Sequence, residues 1–172
     1  MDTFSHAAWG YAALRWRGPK TARIGALTGA SPDLLYFIPS KIEQMVEKGW
    51  PALLLERRPG IWRIDGPPLP QDLIEAYNTY YVYTHSLVIL ALVLGVLALM
   101  GKRSWLWLSV PYLLHIIIDL PTHERYLTPI FYPLWDWKFI GISWSDPLIF
   151  WPNLIALLVV YSWIWKRYRT VN

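Results

Sequence analysis

The 172-residue chain is 55% hydrophobic and only 16% charged, well under the roughly 25% charge of an ordinary soluble domain. That balance excludes a disordered tail and a collagen-like repeat, and leaves too little charge to cover a small soluble globule. It has no cysteine, which excludes a disulfide scaffold, a thiolate metal site and a cysteine nucleophile.

In chain order, the first apolar run is Thr3 to Leu14. No signal-peptide pattern is expected, since Met1 is followed by Asp2 and the first basic residue is Arg15. A basic cluster (Arg15, Arg17, Lys20, Arg23) separates this run from a second, Ile24 to Ile38. Both are short for a membrane span. Their small residues (Ala7, Ala8, Gly10, Ala12, Ala13; Gly25, Ala26, Gly29, Ala30) suit close helix packing, which predicts helices 1 and 2 of a bundle.

Residues 39–70 read as a loop with short interfacial helices. Ser40-Lys41-Ile42-Glu43 has the capping-box pattern, Ile42, Met45 and Val46 form one stripe, and Gly49 is a stop. Asp65-Gly66-Pro67-Pro68 is a turn, and Pro70 with Gln71 and Asp72 opens a long third helix. That helix carries Tyr77, Tyr80, Tyr81 and Tyr83 into the uncharged run Ser86 to Gly101. A fourth run, Ser104 to Ile118, ends on Asp119. After a loop over 121–146, Pro147 to Trp165 forms the fifth. A spanning helix needs about 20 apolar residues, with about 17 as a lower limit. The fifth run qualifies outright. The third needs its tyrosine-rich lead-in, and the fourth needs His115 and Asp119 near its end.

The expected fold is therefore all-α: an integral membrane bundle of about five helices, forming one domain over 1–172. An up-and-down path puts three basic clusters at one end: Arg15 to Arg23, Lys102 with Arg103, and Lys166, Arg167 and Arg169. They hold nine of the sixteen basic residues, leaving the rest of the chain at −5 against a net +4. Lys and Arg mark the cytoplasmic side of membrane proteins. Split in this way, they read as topology and not as a stripe tracking nucleic acid. Trp135, Trp137, Trp144 and Trp151 suit one interfacial belt, and Trp163 and Trp165 the other.

The same path gathers His6, Asp33, His85, His115, Asp119 and His123 at the opposite, outer end. His115 and Asp119 are four residues apart, on one helical face about 6 Å apart along the axis. Histidines and carboxylates without sulfur suit zinc in a catalytic site, where bound water has its pKa lowered toward roughly 7. Each group also has a plainer reading. Ser31-Pro32-Asp33 fits a helix cap and first turn, Thr84 and Ser86 can satisfy backbone groups, His115 and Asp119 can form a neutral pair, and His123 can face solvent. Together, ionisable groups inside a membrane point to function.

Ser5-His6, Pro32-Asp33, Thr84-His85-Ser86-Leu87 and His115-Ile-Ile-Ile-Asp119-Leu resemble, in order and spacing over residues 3 to 135, the YdjM-like family of membrane-bound metal-dependent hydrolases. The order is also similar to the metal core of zinc-dependent phospholipase C. The resemblance implies an integral protein of a prokaryotic cytoplasmic membrane, and the basic clusters put its site toward the extracytoplasmic side. It implies one metal on Asp33, His85, His115 and Asp119, a second on His6 bridged by Asp119, and His123 as a further ligand. Two places that often carry further polar groups in the family are Leu35 and Tyr80-Tyr81 here, which favours one or two zinc ions over three.

The expected activity is hydrolysis of a phosphoester or ester bond in a membrane lipid or lipid-like substrate. Asp33 or Asp119 would take the proton of water, and Arg125 would hold an anionic headgroup. The alternatives are a non-catalytic metal-binding or ion-transport protein, and a structural membrane protein. Five helices with no second half speak against alternating access in a monomer.

Overall fold

A computed structural model describes residues 1–49, 80–124 and 127–169 of the chain. Among these residues the regular structure is entirely helical. The α-helices are α1 (Thr3–Leu14), α2 (Pro19–Lys48), α3 (Leu87–Leu99), α4 (Ser109–Thr122) and α5 (Pro147–Tyr168), with 3-10 segments at Arg15–Arg17 and Arg103–Leu108.

Local chemistry sets most boundaries. The Asp2 carboxylate caps α1 by accepting from the Ser5 amide at 2.9 Å and the Ser5 hydroxyl at 2.6 Å. Gly18, at φ 104°, turns the chain into α2, whose first residue is Pro19. The expected stop at Gly49 is present, with φ 77° at the C-cap.

The start of that segment differs from expectation. The chain does not enter a loop at residue 39: α2 continues through Pro32, Pro39 and Ser40 to Lys48. Ser40 is no N-cap, because its hydroxyl donates back to the Tyr36 carbonyl at 2.7 Å. Pro32 lacks the amide that would reach the carbonyl of residue 28, and the Ser31 hydroxyl donates to that Thr28 carbonyl at 2.7 Å. Ser31-Pro32-Asp33 therefore sits inside a helix and does not begin one. The expected interfacial helices beyond Gly49, the Asp65 turn and the Pro70 helix start lie outside the described residues.

The tyrosine-rich lead-in is helical over 80–84 but does not run straight into the next helix. The chain breaks at His85-Ser86. The Ser86 hydroxyl caps α3 by accepting from the amides of Val88 and Ile89 at 3.1 and 3.2 Å, and donates to the Tyr132 carbonyl at 2.5 Å. After α4, residues 127–146 fold back on its end. The amides of Gly141 and Ile142 donate to the carbonyls of His123 and Pro121, both at 2.9 Å. A Cβ at Gly141 would lie 2.3 Å from the Pro121 oxygen, so the close crossing requires glycine.

The small residues of α1 and α2 do pack backbone against backbone. A Cβ at Gly10 would meet the Gly25 oxygen at 2.3 Å, one at Gly25 the Gly10 oxygen at 2.5 Å, and one at Gly29 the His6 oxygen at 2.6 Å. The 3-10 segment and α4 together give Trp105–Thr122, 18 residues, and α5 gives 22. These two stretches are long and apolar enough to cross a membrane.

Contacts at the far end bring the connections together. The Arg17 guanidinium lies 4.5 Å from the centre of the Trp107 ring, and that of Arg15 4.2 Å from the Tyr168 ring. The α1–α2 connection, the start of the Trp105–Thr122 stretch and the end of α5 thus share one end. The opposite end holds an unusual interior: His6, His85, His115, Asp119 and Thr128 rank among the largest fully buried side chains. Burying that many polar groups costs free energy unless they are paired or bound.

Candidate metal centre

His6 sits in the first turns of α1, Asp33 midway along α2, His85 at the break before α3, and His115 and Asp119 on one face of α4. The tight α1–α2 contact brings His6 up to α4, where its ring stacks on that of His115 with centroids 3.5 Å apart.

Asp33, His85, His115 and Asp119 form the centre. One donor atom from each lies within 4.8 Å of every other, and all four residues are buried. The His85 and His115 Nε2 atoms are 3.1 Å apart. The Asp119 Oδ2 atom is 3.4 Å from His85 Nε2 and 3.1 Å from His115 Nε2. The Asp33 Oδ1 atom is 3.7 and 3.5 Å from the same two nitrogens.

The outer partners fix which atoms face inward. His115 Nδ1 lies 2.6 Å from the Gly29 carbonyl, and a ring nitrogen facing a carbonyl must carry the proton. His85 Nδ1 lies 3.3 Å from the Tyr81 carbonyl and 2.9 Å from the Thr84 hydroxyl. In the neutral rings both Nε2 atoms then present lone pairs to each other, and neither can donate. The Thr3 hydroxyl donates to Asp33 Oδ2 at 2.6 Å, leaving Oδ1 for the centre. Asp119 Oδ2 is buried without any hydrogen-bond partner. Lone pairs and carboxylate oxygens facing one another with no donor between them are the pattern a cation satisfies, and these four residues can hold a metal ion.

The other oxygen of Asp119 belongs to a second group. His6 Nε2 is 2.8 Å from Oδ1, and His123 Nε2 is 3.7 Å from it. The Met1 amino group contacts Asp119 Oδ1, and lies 3.1 Å from the Thr122 hydroxyl and 3.0 Å from His123 Nε2. His123 does not face open solvent. It lies against Tyr81, whose hydroxyl is 3.0 Å from Nδ1, and burial pushes its pKa down to about 3, so the ring stays neutral with a lone pair to offer.

The structure thus brings together all six predicted histidines and aspartates. Arg125, the expected headgroup contact, lies outside the described residues. Three supporting groups were not anticipated: the Thr3 hydroxyl, the Gly29 carbonyl and the Tyr81 hydroxyl, which also lies 3.1 Å from Thr128 Oγ1. Thr3 had a readable signal, since it precedes His6 by three residues and so shares its helical face. The other two depend on tertiary packing. No protein-family model, curated protein or solved structure matches this chain.

Proposed function

We propose that this protein is a membrane-embedded, zinc-dependent hydrolase of a phosphoester or ester bond in a lipid-like substrate, as the resemblance to the YdjM-like family implies. Asp33, His85, His115 and Asp119 would hold one ion. His6 and His123, on the other oxygen of Asp119, would hold a second. The observation that carries the reading is the unpartnered Asp119 Oδ2 facing two imidazole Nε2 atoms inside the bundle.

The donor separations suit a small tetrahedral ion, of which zinc is one. Tetrahedral bonds of about 2.0–2.1 Å place neighbouring ligand atoms about 3.3–3.4 Å apart. The five separations given above run from 3.1 to 3.7 Å. A membrane setting is supported by α5, of which only 6% is buried within the protein despite its apolar character, unlike a soluble core helix. The five-helix bundle, and a site on the extracytoplasmic side, extend that reading through the shared basic end.

When bound, zinc supplies Lewis acidity and lowers the pKa of water. The chain's own residues do the rest. Gly29 and Thr84 hold the imidazoles of His115 and His85 in one orientation. Thr3 holds Asp33. The Asp33 side chain keeps 11% of its surface exposed while that of Asp119 keeps none, so Asp33 is the carboxylate that water can reach.

The test is elemental analysis of purified protein beside a phosphodiesterase assay on lipid-like esters. Wild type should carry zinc and hydrolyse substrate, and His115→Ala should lose both. Full metal retention in the variant would refute the ligand assignment. The second reading, a metal site without catalysis, draws on the four protein donors, the number found in closed structural zinc sites. Metal without turnover, or cation uptake into liposomes, would favour it.

A further inference from the structure

An open groove, a cavity of about 400 Å³, lies at the other end of the molecule, between the C-terminal ends of α1 and α5. The site is separate from the histidine cluster: His6 and Arg15 are about 14 Å apart along the axis of α1. Tyr11, Arg15, Tyr161, Trp165, Tyr168 and Arg169 line it. Its volume falls within the range of small-molecule pockets.

The lining is aromatic and positively charged, and its donors are unspent. The Arg15 guanidinium rests over the Tyr168 ring at 4.2 Å and that of Arg169 over the Trp165 ring at 4.8 Å, which holds both charges at the cavity wall. Among the described residues neither guanidinium pairs with a carboxylate, and the hydroxyls of Tyr11 and Tyr168 have no hydrogen-bond partner. Only the Tyr161 hydroxyl is committed, donating to the Ala8 carbonyl at 3.0 Å. Arginines at a helix C-terminus complement the helix dipole. That accounts for their charge but not for the cavity between them.

An apolar track leads to the same place. Trp151, Leu158 and Trp165 follow one another at seven-residue spacing on α5, so they share a face, and each is more than half exposed. The row covers about 21 Å. Two guanidiniums and two phenols suit a phosphate, by charge-assisted hydrogen bonds that arginine makes in bidentate form. The exposed row suits an acyl chain. We infer that this cavity binds one anionic phospholipid, with its phosphate on Arg15 and Arg169 and an acyl chain along Trp151, Leu158 and Trp165. The inference uses only the membrane part of the proposed function and none of the metal chemistry.

The test uses the full chain in zwitterionic detergent, with lipid adducts counted by native mass spectrometry. The probes are dioleoyl phosphatidylglycerol, dioleoyl phosphatidylcholine and inorganic phosphate, each added separately and in competition. Wild type should retain one phosphatidylglycerol, with phosphatidylcholine and phosphate displacing it poorly. Arg15→Gln with Arg169→Gln should weaken retention on the order of 100-fold. Lys166→Gln with Arg167→Gln removes the same charge from the same end, outside the cavity, and should leave retention within about twofold.

The exposed single variant Arg169→Gln should lose about tenfold and carries the test if the double variant does not accumulate. Equal losses in both pairs, equal retention of phosphatidylcholine, efficient displacement by inorganic phosphate, or no adduct would each overturn the proposal. Metal content measured on the same samples separates the two readings. The arginine variants should keep their metal, and His115→Ala should keep its lipid.

Discussion

Gly29→Ala tests whether backbone contact between α1 and α2 sets the metal centre. The added methyl would lie 2.6 Å from the His6 carbonyl oxygen and 3.2 Å from Gly10 Cα, where ordinary contact begins at 3.4 Å. Backbone cannot rotate away, so α1 must retreat by about 0.8 Å, the gap between those two distances. His6 moves with it, and so does the Gly29 carbonyl that orients His115. Metal sites tolerate donor shifts of only about 0.2 Å. Overpacking of this kind also costs roughly 1–3 kcal/mol. The variant should hold less than half of the wild-type metal and melt at a lower temperature, measured by elemental analysis and a thermal scan in one detergent. Gly95→Ala is the matched control. A Cβ there meets nothing within 4 Å, so it should leave metal unchanged and gain up to about 1 kcal/mol from helix propensity. A Gly29→Ala protein with full metal and an unshifted midpoint would show that the reasoning is wrong.

Thr3→Val removes the hydroxyl that orients Asp33, and metal affinity should fall about 10- to 100-fold in a competitive chelator titration, while the fold is kept. Ser86→Ala uncaps α3 and frees the Tyr132 carbonyl, which should destabilise the protein by about 1–2 kcal/mol in thermal unfolding, with less effect on metal affinity than Thr3→Val. Stripping metal with a strong chelator should lower the melting temperature, and zinc should restore it, because a ligand of the native state alone stabilises that state. An unchanged midpoint would mean that the buried carboxylates need no cation.

Much of this architecture was legible in the residues. The apolar limits of α1 and the proline that opens α5 could be read directly, and small residues at Gly10, Gly25 and Gly29 pointed to the contact that the helices make. The clustering of His6, Asp33, His85, His115 and Asp119 followed from helix direction and the alternation of basic connections. The course of α2 was not legible. Pro32, Pro39 and a capping-box pattern at Ser40 all signal a helix boundary locally, yet the Ser31 hydroxyl takes up the carbonyl that Pro32 frees, the Ser40 hydroxyl bonds back into its own turn, and the helix continues. The break at His85-Ser86 was hidden for the opposite reason. Its tyrosine and leucine neighbours suit a continuous helix, and the partner that completes the cap, the Tyr132 carbonyl, is 46 residues away.

Asp119 is one side chain serving two neighbourhoods: Oδ2 looks toward His85 and His115, and Oδ1 toward His6 and His123. Guests on either side would draw on the same delocalised charge, so occupancy of one half alters the appetite of the other. Loading measured by titration should then deviate from two independent binding curves, and replacing this single carboxylate should empty both halves at once.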